Sequence, residues 1–192
     1  MNYLRMKNPL LALCLLAFSG SLFAQSLTVD PAKSSVQWEG GKLVGGAHSG
    51  LIQIKSGALE VVDNTLKSAS FVIDMTSMTN TDLDETYGQK LVGHLMSDDF
   101  FGVEKFPVAT LSILSASQFL DGKAQVQASV TIKGHKEQVE FDVVRKGDVF
   151  EAEIVLDRAK FDVRYGSGSF FDDLGDDLIL DAFTMNIRLE TI

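Results

Sequence analysis

The chain has 192 residues, 17 basic against 26 acidic, a formal net charge of −9 and a single cysteine. That acidity argues against nucleic acid as a partner, and against an anionic lipid surface held through a basic patch. The length suits one ordinary domain with its own hydrophobic core, and one cysteine rules out an intramolecular disulfide or a thiolate metal site.

The first element in chain order is a leader. Arg5 and Lys7 precede the apolar run Leu10 to Phe18, and small and polar residues follow in SGSLFAQS. This order predicts a secretory signal peptide over 1–24, cleaved after Ala24, and export from the cytoplasm. The run is too short to span a bilayer, and no later window approaches the roughly 20 apolar residues of a membrane helix, so no transmembrane anchor is expected. Cys14 leaves with the leader, so the exported form has no thiol. No repeat, low-complexity tract or linker divides the remainder, which is expected to form one domain over 25–192.

That domain is dominated by period-two alternation, the pattern of strands with one buried face. Val36 and Trp38 alternate, as do Ile52 and Ile54; Ser56-Gly57 reads as a turn, after which Leu59 and Val61 resume. Asp63-Asn64 marks another turn, and Phe71, Ile73 and Met75 continue the theme. The pattern then breaks. Leu83, Tyr87, Leu91 and Leu95 recur every four residues, which predicts a helix over 79–95 with these side chains inward and Thr81 or Asp82 as its cap. A short turn is expected at Ser97–Phe101, and Pro107 ends the helical insert, placed around residues 79–104.

Alternation resumes with Leu111 and Ile113, then Val126, Ala128, Val130 and Ile132, then Val139, Phe141 and Val143. Phe150, Ala152, Ile154 and Leu156 follow, then Phe161 and Val163, and finally Phe183, Met185, Ile187 and Leu189. Turn signals at Asp121-Gly122, Lys133-Gly134 and Gly147-Asp148 favour antiparallel neighbours. Single-faced strands need a partner surface, and nothing else in the chain is helical enough to supply one. Closure of the sheet on itself solves this and removes its edges. The expected fold is all-β, an antiparallel barrel with a short helical cap. Small inward candidates, Ala109, Ala128 and Ala152, stand beside larger ones and leave room inside.

Several stretches, in this order and spacing, resemble the YceI-like family of polyisoprenoid-binding, secreted bacterial proteins. They are DPAKSSVQW (30–38), HSGLIQIKSGALEV (48–61), FVIDMTSMTN (71–80), HLMSDDFFGVEKFPVATL (94–111), ASVTIKGHKEQVEFDV (128–143) and LDRAKFDVRYGSGSFFDDLGD (156–176). The resemblance implies an extended lipocalin-like antiparallel barrel, a periplasmic location, and an apolar interior that binds an isoprenoid lipid such as an isoprenoid quinone or a polyprenyl phosphate. Combined with the alternation, it makes Trp38, Ile52, Phe71, Ile132, Phe141, Ile154 and Phe161 candidates to touch the bound tail. Leu91, Leu95, Phe100, Phe101, Phe106, Phe170 and Phe171 would line or close the mouth, and His48 and His94 are candidates to touch a headgroup. No cofactor is required beyond that bound lipid or quinone. The expected partner is the lipid, and a homodimer is left open.

The remaining motifs point away from catalysis and metal. GSGSFFDDLGDD (166–177) pairs its aspartates instead of alternating them around a central glycine, unlike a calcium loop. The expectation is a rim loop in which Asp172 and Asp173 cap and solvate while Phe170 and Phe171 turn inward. An anion would sit on GSGS only if a helix began directly after it. His48, His94 and His135 lack zinc spacing, His135 reads as a solvated hairpin residue, and no GxSxG or phosphate-cradling loop occurs. Two alternatives to a carrier stay open. One is a small enzyme that sets His48 or His94 against an aspartate inside the cavity. The other is a ligand-free stress or interaction protein with a filled core.

Overall fold

A computed structural model describes residues 24–192; the leader, apart from Ala24, lies outside the described residues. Nine strands follow in chain order: β1 (Ala24–Thr28), β2 (Ser35–Gly41), β3 (Ala47–Val62), β4 (Thr65–Asp74), β5 (Val108–Ala116), β6 (Lys123–Ile132), β7 (His135–Lys146), β8 (Val149–Asp157) and β9 (Ala182–Glu190). One helix, α1 (Glu85–Met96), stands between β4 and β5. All pairings are antiparallel, and β2 to β9 close into a ring through the β3–β4 and β2–β9 ladders. The result is the expected lipocalin-like barrel with a helical cap. β1 extends the wall by pairing with the far half of β3, where β2 has ended.

The turn expected at Ser56-Gly57 is absent, because β3 runs unbroken for 16 residues. Inward side chains fall at even positions up to Ile54 and at odd positions from Leu59. A register shift between Ile54 and Ser56 inserts the extra residue that changes the parity. Gly57 pairs with Phe71, and a Cβ there would stand 2.6 Å from the Phe71 ring. The glycine makes room for an aromatic ring, and no chain reversal occurs. The two-residue turn at Asp63-Asn64 does form, with both residues at positive φ.

The helix begins later than its spacing suggests. Asp84 is the cap, accepting from the amides of Thr86 and Tyr87 at 3.0 and 3.1 Å. Asp82 is engaged elsewhere. A four-residue repeat drifts around an α-helix, and the inward band is instead Gly88, Leu91, Val92 and Leu95, while Tyr87 is 62% exposed. Among the described residues no helix is long and apolar enough to cross a membrane.

The two ends of the barrel differ. At the base, Leu27, Val61, Leu66, Phe119, Ala124, Val126 and Ala128 are all buried, and Phe119 meets Phe150 edge-on with centroids 6.3 Å apart. The opposite end carries α1, the β2–β3 and β6–β7 hairpin turns, and the long β8–β9 connection.

Candidate functional site

Between that base and the cap lies a cavity of about 1050 Å³. Its wall is built from the inward positions of every strand in the ring, among them Val36, Ile54, Ile73, Ala109, Val130, Val143, Ile154 and Ile187. The interior is therefore hollow, which removes the alternative of a filled core.

Of the residues singled out from the sequence, Trp38, His48, Ile52, Phe71, Leu91, His94, Leu95, Phe100, Phe101, Ile132, Phe141, Ile154 and Phe171 border the cavity. Three do not. Phe161 is 1% exposed and sits in the 3-10 turn Arg158–Phe161, which packs on β7. Phe106 packs against Gly102 and Gly134 at the hairpin end. Phe170 has the Arg164 guanidinium 5.0 Å from its ring centroid, and neither it nor Phe171 turns fully inward as expected, since they are 39% and 50% exposed. Apolar type marks all three for packing, but packing in the core and facing a cavity look the same in a sequence.

At the rim, hydrogen bonds work beside the buried apolar side chains of Met75, Met78, Phe100 and Val103. Thr79 and Thr81 donate their amides to Leu51 and Ser49 carbonyls, so the segment before α1 is strapped along β3 beyond the end of β4. Trp38 donates its indole N–H to the Thr79 carbonyl at 3.0 Å. Gly50 permits this approach, since a Cβ there would overlap the Thr79 oxygen and the Trp38 ring. Asp82 locks the strap, accepting from the Ser49 amide, the Asn80 side chain and His48 Nδ1 at 2.9, 2.6 and 2.8 Å. Desolvation pushes the Asp82 carboxyl up, but those hydrogen bonds outweigh it and hold its pKa down at about 2.

The β8–β9 connection is organised by Arg158, which no sequence signal singled out. It is 3% exposed and donates to the carbonyls of Val163, Tyr165, Ile179 and Leu180 at 2.8–3.1 Å. Asp181 Oδ1 adds an ion-pair contact at 3.3 Å without a hydrogen bond. Burial pushes the guanidinium pKa down, against the opposing charges of Asp181 and Asp157. Arg158 also lies 5.5 Å from the Phe100 ring centroid. His94 stands edge-on between Phe100 and Tyr165, with centroids 5.1 and 4.6 Å away, and its ring nitrogens have no hydrogen-bond partner among the described residues.

The aspartate-rich stretch is divided in its duties. Asp172 and Asp173 are exposed, as expected. Asp177 instead reaches Lys42 at 3.1 Å, and Asp181 accepts from Ser169 at 2.7 Å while facing Arg158, so these two fasten the loop to the rim. No helix follows GSGS, and the short 3-10 turn begins only at Gly175. Four cations border the cavity, Lys42, Lys133, Arg158 and Arg164, against six carboxylates, Glu39, Asp98, Asp99, Glu151, Asp162 and Asp177. Lys42, Arg158 and Arg164 each have an acidic partner, and Lys133 donates to the Asp162 carbonyl at 2.8 Å.

A family model described as the YceI-like domain matches residues 27–191. No curated protein matches the chain. Among solved structures the chain is similar to Burkholderia cenocepacia BcnA, with 23% identity, a TM-score of 0.61, and coverage of 84% of this chain and 98% of that one. It is also similar to a polyisoprenoid binding domain from Saccharophagus degradans implicated in plant cell wall breakdown, at 15% identity and a TM-score of 0.58 over 86% of this chain and 97% of that one. The Campylobacter jejuni YceI protein follows at 20% identity and a TM-score of 0.51, over 71% and 81% of the two chains. At these identities the likeness is one of fold.

Proposed function

Since the chain belongs to the YceI-like family, we propose that it is a non-enzymatic carrier that holds a long-chain isoprenoid lipid, outside the cytoplasm after removal of the leader over 1–24. The observation that supports this most is the cavity of about 1050 Å³, apolar along its length and sealed at its base. Burial of an apolar chain there is worth about 25 cal/mol per Å², offset by the ordering of the chain.

Between the two headgroup classes expected from the sequence, the rim favours the neutral one. A polyprenyl phosphate would enter a ring with more carboxylates than cations, and every cation is already engaged. An isoprenoid quinone brings only carbonyl acceptors, and His94 offers an unengaged ring nitrogen at the mouth to meet one. The runner-up, a small enzyme, draws on the His48–Asp82 pair. Asp82 does not border the cavity and already holds three donors, and no serine or cysteine borders it among the described residues. The pair serves the strap.

The chain's one tryptophan, Trp38, borders the cavity and reports on this directly. Titration with a polyprenyl quinone is expected to quench it saturably, with a polyprenyl phosphate of equal tail length competing weakly. Equal or tighter binding of the phosphate would overturn the headgroup assignment, and no saturable response to either would overturn the carrier.

A further inference from the structure

The wall of the barrel is not laddered throughout. β7 pairs with β6 along ten residues and β8 with β9 along nine, but β7 and β8 meet over four pairs only, from Lys146↔Val149 to Val143↔Ala152. Beyond that point His135–Asp142 and Glu153–Asp157 are each paired on one side. Towards the mouth, the turn Arg158–Phe161 packs on β7, and Lys133 donates to the Asp162 carbonyl. Halfway down, the gap has a different character. Glu151, Ala152 and Ile187 border the central cavity and also a depression on the outer face, which Asp142 and Glu153 border as well.

The sequence supplies a reason for the split. Continued by one rung, the ladder would set Asp142 directly opposite Glu153. Both are exposed and acidic, and like charges directly opposite each other destabilise a pair. Charges on the two free edges also discourage pairing with a strand from another molecule.

We propose that the gap between β7 and β8 is a lateral portal into the cavity, and that the far end of a linear apolar chain leaves the barrel through it. The base is closed by buried side chains, so a chain that enters at the mouth and exceeds the cavity has no path straight through. Neighbouring strands lie roughly 4.8 Å apart when bonded, so a local parting admits one extended chain and not a ring system. Phe141, half-buried on β7 beyond the last rung, and Ala152, the small residue of that rung on β8, give that chain an apolar threshold. The portal stands independently of what the cavity holds; its occupant rests on the carrier reading above.

The test uses single cysteines in the full chain with Cys14→Ser as background. Ala152→Cys places a thiol at the last β7–β8 rung, on the edge of the portal, and Ala109→Cys places one on the wall away from it, paired with Ile73 of β4 near the mouth. A methanethiosulfonate bearing a trimethylammonium group is expected to modify Cys at 152 several-fold faster than at 109. Adding Asp142→Lys sets a lysine opposite Glu153 and should slow the reaction at 152 while leaving 109 unchanged. Equal or slower reaction at 152, or no response to Asp142→Lys, overturns the portal. Should the charge-reversed variant fail to fold, hydrogen exchange on the unaltered protein decides. The β7 amides that point away from β6 over 135–142 should exchange faster than those of β6, and equal protection overturns the portal. Loading with a quinone that carries a long polyprenyl tail should then protect Cys at 152. A bound quinone that leaves 152 fully reactive overturns the occupant while the carrier reading survives. Failure of the quinone to bind overturns the carrier reading, and with it the occupant, while the ratio of rates at 152 and 109 still decides the portal.

Discussion

The base and the mouth of this barrel are built from the same strands and do opposite things with them. At the base, inward side chains meet across the barrel until Val126 and Ala128 have no exposed surface. At the mouth, inward side chains of equal apolarity stop short of one another and leave a cavity, and order comes from polar groups that grip the backbone: Asp82 on the strap and Arg158 on the β8–β9 connection. Stability and binding are thus separated along the barrel axis. Side-chain packing carries the first, at the base and again around Phe161 and Val163 beside the β8–β9 connection, and hydrogen bonds to main chain hold open the space for the second.

The separation is broken most severely at the base. Phe119→Ala should cost about 3–5 kcal/mol, as truncation of a buried aromatic does when the site cannot collapse. Urea denaturation reads this, and a loss below about 1 kcal/mol would mean that the base is not the stabilising end. Next in size is Arg158→Met, which strips four carbonyls of their donor and should cost about 3 kcal/mol, with new protease cleavage between 163 and 181. Arg158→Lys should rescue little, because one ammonium cannot reproduce the planar fork that serves four acceptors.

A smaller effect separates two neighbours. Phe171 borders the cavity and Phe170 does not. Phe171→Ala should therefore hasten release of a polyprenyl probe by about tenfold, equivalent to about 1.4 kcal/mol of lost contact. Phe170→Ala should leave release unchanged, and measured dissociation rates that reverse this order would put the wrong ring in the mouth. The smallest expected change concerns the strap. The folded Asp82 pKa of about 2 lies below the ordinary carboxylate value, so its contribution is complete above about pH 4 and is lost as pH falls towards 2. Asp82→Asn should cost about 1 kcal/mol at neutral pH and flatten that part of the acid unfolding curve. A curve identical to that of the unaltered protein would show that the strap is held by other groups.

The strands were legible because alternation is imposed by one-sided burial, and Val126, Ala128, Val130 and Ile132 display it in residue type although Ser129 between them is buried too. Ser56-Gly57 misled because a bulge and a turn use the same residue types, and only the change from even to odd inward positions tells them apart. Arg158 was invisible for a different reason. Its partners are main-chain carbonyls brought together by the fold, and residue type alone places an arginine at the surface. Phe106 and Phe161 show the remaining limit: an apolar side chain at an inward position announces burial, but whether a neighbour or an empty space faces it depends on the opposite wall.

The central claim, that the space above the packed base exists to hold an isoprenoid lipid, is met most directly by native mass spectrometry of the protein purified from its own cells, followed by organic extraction. The account predicts a single class of adduct that extraction identifies as a neutral-headed compound with a long polyprenyl chain. Protein that flies without an adduct, or with one that is short, polar or phosphorylated, would contradict it.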